Sequence, residues 1–161
     1  MRHAWVPALL LLAFLSARAG GKATATTFTQ VTVSVSGPVE AVLVDGRGRR
    51  TGWYDGRVED IPGCTLEAID DDVAKPQDYK FKFSEPRGQT YRLLIKPCTD
   101  GEFEISVTAL LTNGKRCVAQ IADDHLAGER QWRLRWITTG GECAATITPV
   151  GLKKAAARSA P

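Results

Sequence analysis

The stretch Phe103-Glu104-Ile105-Ser106-Val107-Thr108-Ala109 alternates apolar and polar side chains along its whole length. Successive side chains of a β-strand point to opposite faces, so this pattern predicts a strand with one buried face and one face in water. The same alternation continues outward from it in both directions along the chain. It is present in residues 31–36, 79–83, 91–95 and 132–136, while residues 39–44 form a more continuous apolar run and residues 144–148 a last strand.

Turn-forming residues separate these runs. Asp45-Gly46, Asp100-Gly101 and Asn113-Gly114 each supply the backbone conformations that a chain reversal needs. Asn113-Gly114 predicts a hairpin, and its simplest register places Val107 opposite Gln120, with a bulge or a longer loop left open. Because no segment after the first nineteen residues has a convincing amphipathic helical pattern, we predict an all-β antiparallel sandwich of about seven to nine strands.

The amino terminus has the layout of a cleaved export signal. Positive charge at Arg2 is followed by an apolar run over residues 5–15 and by the small residues Ala17 and Ala19. The run is shorter than the ~20 residues that a membrane-spanning helix requires. We therefore predict a signal peptide over 1–19, a flexible linker over 20–27, the β-sandwich domain over 28–150 and a disordered tail over 151–161. The expected location is secreted or periplasmic, with no transmembrane segment.

The charge of the predicted domain argues against a nucleic-acid partner. The whole chain has 21 Lys and Arg and 18 Asp and Glu. Six of the basic residues lie before residue 28 or after residue 150, which leaves 15 basic against 18 acidic side chains in the domain, or about −3. The basic character of the chain thus belongs to its ends, and nucleic acid is not the expected partner.

Four cysteines lie after the predicted cleavage site: Cys64, Cys98, Cys117 and Cys143. An even number in an exported chain predicts two disulfides, and of the three possible pairings we favour Cys64–Cys98 with Cys117–Cys143. Zinc is the competing interpretation, but close Cys-x-x-Cys spacing is missing. We expect no metal and no cofactor.

The sequence gives little support for catalysis. His125 is the only histidine after the signal, and it lies beside Asp123 and Asp124 without the spacing of a known catalytic motif. The run Asp70-Asp71-Asp72 lacks the spaced oxygen ligands of a calcium loop. We therefore expect exposed loops at these positions and predict that the protein is not an enzyme.

The candidate binding residues are basic and aromatic: Arg47, Arg49, Arg50, Trp53 and Tyr54. Guanidinium groups and rings together bind anionic glycans or phosphates. The alternative is a hairpin rim whose charges keep the sheet edge soluble. Trp132 and Trp136 share a strand face with Leu134, which predicts core positions rather than an exposed sugar-binding platform.

The segment from Asp45 through Gly-Arg-Gly-Arg-Arg-Thr-Gly to Trp53, followed by Ile61-Pro62-Gly63, resembles a turn pattern of bacterial exported immunoglobulin-like β-sandwich accessory domains. The resemblance covers roughly residues 30 to 110 and implies a fold together with a non-catalytic accessory role. We expect an exported binding or structural protein of the cell envelope or exterior, with an unknown protein or glycan partner. The alternatives are a small envelope hydrolase or hydrolase inhibitor, and a carbohydrate-binding module.

Overall fold

A computed structural model describes residues 26–68, 78–84, 86, 89–123 and 128–151, without the side chain of Asp123. The predicted signal peptide, the aspartates at 70–72, Asp124, His125 and the tail beyond residue 151 lie outside the described residues. None of the described residues forms a helix, so no helix long and apolar enough to span a membrane is found among them. The first described strand begins at Phe28 and the last ends at Val150.

Eleven strands form two antiparallel sheets among these residues, which confirms the predicted all-β sandwich but exceeds the predicted seven to nine strands. The five-stranded sheet has the order β5-β6-β1-β8-β9. Its strands are β1 (Phe28–Ser36), β5 (Cys64–Ala68), β6 (Asp78–Ser84), β8 (Phe103–Leu111) and β9 (Arg116–Asp123). The six-stranded sheet has the order β11-β10-β7-β2-β3-β4. Its strands are β2 (Val39–Val44), β3 (Arg50–Trp53), β4 (Arg57–Glu59), β7 (Thr90–Pro97), β10 (Arg130–Thr139) and β11 (Glu142–Val150).

The core lies between the two sheets and follows the alternation of the sequence. Val31, Val33 and Val35 of β1 are fully buried, as are Leu93 and Ile95 of β7 in the facing sheet. Burial of apolar surface stabilises the folded state by about 25 cal/mol per Å², and it is the main force that holds the two sheets together. A buried hydrogen bond also joins the sheets, because the Tyr79 hydroxyl of β6 donates to the Val39 carbonyl of β2 at 2.9 Å.

An aromatic cluster fills one end of the core. The Trp136 ring stacks on Tyr91 with centroids 4.9 Å apart and meets the Phe83 ring at 5.3 Å. Trp136 is fully buried and Trp132 is 3% exposed, so the prediction that both tryptophans belong to the core is confirmed. Their burial removes the exposed Trp132–Trp136 platform that a stacking carbohydrate-binding module would present.

The hairpin at Asn113-Gly114 has a different register from the simplest prediction. Val107 pairs with Ala119 rather than with Gln120. The loop is one residue longer, since the Leu111 N–H bonds to the Lys115 carbonyl across three residues, with Gly114 at φ +81°. A shift of one residue exchanges the two faces of a strand, and it turns Cys117, rather than Arg116 or Val118, toward the core.

Gly52 of β3 lies too close to the neighbouring strand for any other residue. Its φ is +149°, and a Cβ built there would stand 2.3 Å from the Ala41 carbonyl oxygen. Only glycine tolerates both this conformation and this approach of two backbones. Gly52 therefore allows β3 to pair closely with β2, and these two strands flank the turn of the candidate site described below.

Candidate functional site: a pocket beside the β2–β3 turn

The turn between β2 and β3 is organised by the carboxylate of Asp45. Its Oδ1 accepts the backbone N–H groups of Arg47 at 2.8 Å and Arg49 at 2.9 Å, and its Oδ2 accepts the Arg49 Nε at 2.7 Å. An aspartate that binds backbone groups two and four residues ahead replaces the strand hydrogen bonds lost at a reversal. The turn is thus pinned in place although it lies at the surface.

Asp45 is 4% exposed, and Arg49 neutralises its charge through an ion pair of 2.7 Å. Burial alone would raise the pKa of this carboxyl. The hydrogen bonds from the Arg49 side chain and from the backbone of Arg49 and Arg47 outweigh burial, so the Asp45 pKa lies below its ordinary value. Asp45 therefore stays ionised and paired near neutral pH.

A cavity of about 610 Å³ lies under this turn, at the end of the sandwich that holds the aromatic cluster. Phe83 and Tyr91 form part of its wall, and both rings pack on Trp136 behind them. Its lining residues come from the β2–β3 turn, the β4–β5 loop, the β6–β7 loop and the adjoining ends of β6 and β7: Asp45, Gly46, Arg47, Arg49, Ile61, Pro62, Gly63, Phe83, Ser84, Pro86, Gln89, Thr90 and Tyr91.

The charge of the lining is positive. Asp45 is the only carboxylate among the described lining residues, and Arg49 already pairs with it. Arg47 is exposed, and its guanidinium has no ion pair or hydrogen bond within the described part of the chain. The Arg47 guanidinium thus has no compensating charge beside the neutral Arg49–Asp45 pair. Together with the polar side chains of Gln89 and Thr90, it can bind an anionic group.

The predicted binding residues do not form one patch. Arg47 and Arg49 line the pocket, whereas Arg50 points to the outer face of the six-stranded sheet, where it pairs with Val44. Trp53 pairs with Ala41, which lies three residues from Val44 along β2, or about 10 Å from it. Trp53 also packs against the core. The aromatic rings therefore do not stand over the arginines.

Tyr54 belongs to a separate ionic cluster at the far end of β3. Its hydroxyl donates to Glu129, and the Lys96 ammonium lies 5.1 Å from the centre of its ring. Lys96 also approaches Asp55 at 3.2 Å and Glu40 at 3.3 Å. The hydrogen bond to the Glu129 carboxylate raises the Tyr54 pKa above its ordinary value. This cluster carries more acidic than basic groups, since the carboxylates of Glu40, Asp55 and Glu129 surround the ammonium of Lys96 and the ring of Tyr54.

The four cysteines are all free thiols in the structure, so the predicted disulfides are not formed there. Cys64 lies near Tyr91 at the pocket end, and burial raises the pKa of its thiol to about 12. Cys98 follows β7, seven residues beyond Tyr91, which places it about 23 Å away along an extended strand. A disulfide needs Cα atoms within about 7 Å, so the favoured Cys64–Cys98 pairing is wrong for this fold.

Cys117 and Cys143 are neighbours. They lie on β9 and β11, the edge strands of the two sheets, and both pack against the core. Burial, followed by the hydrogen bond between the two thiols, raises the Cys117 pKa to about 12. No group of three or more His, Cys, Asp or Glu side chains placed to hold a metal ion is found in the described ranges.

Comparison of the chain with protein-family models, with curated proteins and with solved structures finds no match. The interpretation of the site therefore depends on its geometry alone. Sequence reasoning missed the part of the pocket formed by Ser84, Gln89 and Thr90, which are ordinary polar residues next to strand ends. Nothing in their spacing distinguishes them from other loop residues.

Proposed function

We propose that this protein is a non-catalytic binding domain that works outside the cytoplasm, in the cell envelope or outside the cell. Its ligand carries a carboxylate or phosphate group that enters the pocket beside the β2–β3 turn. The observation that carries this proposal is the cavity of about 610 Å³, which is lined by Arg47 and by the neutral Arg49–Asp45 pair. The packed rings of Phe83 and Tyr91 keep the wall rigid, so little order has to be created on binding.

The titratable groups beside the pocket support binding rather than turnover. A general acid or base works best with a pKa near the working pH. Asp45 is held ionised by Arg49, and burial raises the pKa of both the Cys64 thiol and the Tyr91 hydroxyl to about 12. None of these three groups exchanges a proton readily near neutral pH.

The binding proposal is tested by titrating the ¹⁵N-labelled mature protein with inorganic phosphate and with acetate. We expect the amide signals of Gly46, Gly63 and Thr90 to shift on addition of either anion. R47Q removes the unpaired guanidinium and should abolish the shifts, whereas R116Q removes another exposed charge, on β9, and should leave them intact. Unmoved signals at saturating phosphate and acetate, or equal shifts in R47Q and R116Q, would refute the pocket as an anion site.

The proposal of export is supported by the apolar run and small residues before Ala19 and by the contact between Cys117 and Cys143. We infer that these two cysteines form a disulfide in the exported protein, because edge strands of two sheets gain from a covalent link in an oxidising compartment. Expression of the full chain with its own amino terminus in a bacterial host should give periplasmic protein that begins at Gly20. Peptide mapping after thiol blocking should then find Cys117 linked to Cys143, with Cys64 and Cys98 blocked as free thiols.

A further inference from the structure

The outer face of the six-stranded sheet carries arginines on three of its strands. Arg50 of β3 and Arg92 of β7 both pair with Val44 of β2, and Arg92 pairs in turn with Arg133 of β10. Strands lie about 4.8 Å apart, so these three positions form a line about 14 Å long across the sheet. We call Arg50, Arg92 and Arg133 the arginine row. Arg135 extends it, two residues beyond Arg133 on the same face.

All four of these arginines point to solvent. Their strand neighbours Thr51, Leu93 and Leu134 are fully buried on the opposite face, and the arginines themselves are exposed. Within the ranges that the structure describes, none of the four forms an ion pair or a side-chain hydrogen bond.

The row is costly for the folded protein. Like charges directly opposite each other on neighbouring strands are destabilising, and Arg92 and Arg133 are in that arrangement. An isolated protein would be more stable with a carboxylate at either position. Four unpaired guanidinium groups on one flat face are explained if an external anion neutralises them.

The surroundings of the row define the shape of that anion. The ionic cluster around Lys96 contains Asp55 and Glu129, and it lies four residues beyond Arg92, or about 13 Å along the strand. A flat membrane surface or a wide nucleic-acid duplex laid on this face would also meet these carboxylates and be repelled by them. A narrow linear polyanion that follows the row avoids them.

The neighbouring polar groups fit a carbohydrate. Thr148 pairs with Arg133, and Thr90 and Thr146 pair with Arg135, so exposed hydroxyls flank the charges. Both tryptophans of β10 are buried in the core, so neither ring is available on this face for nucleic-acid bases to stack on. We propose that the arginine row binds an acidic polysaccharide, with guanidinium forks on its carboxylate or sulfate groups and threonine hydroxyls beside its sugar hydroxyls.

The test uses purified mature protein and four probes: a sulfated heparin octasaccharide, an octamer of galacturonate, vesicles containing phosphatidylglycerol, and a 20-base-pair duplex DNA. We expect one or both oligosaccharides to bind, with an affinity that falls as salt is raised. The variant R50Q/R92Q/R133Q should lose on the order of tenfold in affinity for each arginine removed, as expected for charge-assisted hydrogen bonds. The control K80Q/K82Q/R116Q removes three charges from the other sheet and should bind like the wild type.

Thermal unfolding is measured for both triple variants, and R133Q alone is used if the triple variant does not fold. Absence of oligosaccharide binding, equal loss in the two triple variants, or binding of vesicles or duplex in preference to the oligosaccharides would each overturn the proposal. The inference is independent of the pocket, because R47Q leaves the row intact. Failure of the anion titration at the pocket therefore does not imply failure of this test.

Discussion

The disulfide proposed between Cys117 and Cys143 makes a quantitative prediction about stability. The cross-link closes a loop of 26 residues that contains all of β10. For a loop of about that length, the loss of chain entropy in the unfolded state stabilises the folded state by about 3.5 kcal/mol at 25 °C. Domains of this size are stable by roughly 5–15 kcal/mol in total, so the cross-link supplies a large part of the whole.

The assay is urea unfolding of oxidised mature protein, followed by tryptophan fluorescence. Trp132 and Trp136 lie in the core between the sheets and report directly on their separation. With a slope of about 1.75 kcal/mol per M, a loss of 3.5 kcal/mol lowers the midpoint by about 2 M urea. C117A, C143A and the double variant should all show nearly this same loss, because either single change already opens the link.

Two controls separate the cross-link from the packing of the sulfur atoms. Wild-type protein unfolded in the presence of a reducing agent should match C117A, whereas C98A should respond to the reducing agent as the wild type does. Equal midpoints for oxidised and reduced wild-type protein would show that the two thiols stay unlinked. Additive losses in C117A and C143A would show that each sulfur contributes only its own packing.

The remaining predictions concern single residues. The folded-state pKa of Asp45 lies below its unfolded value of about 3.9, so the Asp45 carboxylate contributes its full stabilisation above about pH 3.9 and loses it as the pH falls through the folded-state pKa. D45N should therefore reduce the fall in unfolding free energy at acid pH. An unchanged fall in D45N would contradict this reasoning. G52A should destabilise the protein by about 3 kcal/mol or more in chemical denaturation, because its Cβ would meet the Ala41 carbonyl oxygen at 2.3 Å, and a loss below 1 kcal/mol would refute the close approach. R133E places a carboxylate opposite Arg92 and should raise stability by about 0.2–1 kcal/mol at low salt, with the gain shrinking in high salt; a loss of stability would show that the like-charge pair costs nothing.

The alternation of apolar and polar residues in the sequence was enough to predict some strands but not others. The seven segments read from the sequence correspond to β1, β2, β6, β7, β8, β10 and β11. β9 was indicated only by the hairpin signal at Asn113-Gly114 and not by alternation, because its outward residue Val118 is apolar and 49% exposed, which removes the contrast between its two faces. β3 and β4 are only four and three residues long, and β3 contains Gly52, so neither shows a recognisable alternation of apolar and polar residues.

The candidate site shows the same limit. The arginine-rich turn was readable because Asp45, Gly48 and Arg49 act within five residues of one another. Trp53 and Tyr54 are close to that turn in the sequence, but the extended conformation of β3 places them far from it in space. The predicted core positions of Trp132 and Leu134 imply that Arg133 between them faces water, but Arg92 is 41 residues earlier in the chain, and nothing in the sequence indicates that the two arginines are neighbours.

The amino-acid sequence by itself determined which side chains of most strands face the core, because alternation is a property of each strand alone. Tertiary structure decided which strands lie side by side, and with that the arginine row, the contact of Cys117 with Cys143 and the walls of the pocket. Pairing depends on packing between residues that are distant in the chain. One extra residue in the loop before β9 is enough to turn Cys117 inward, because a shift of one residue exchanges the two faces of a strand.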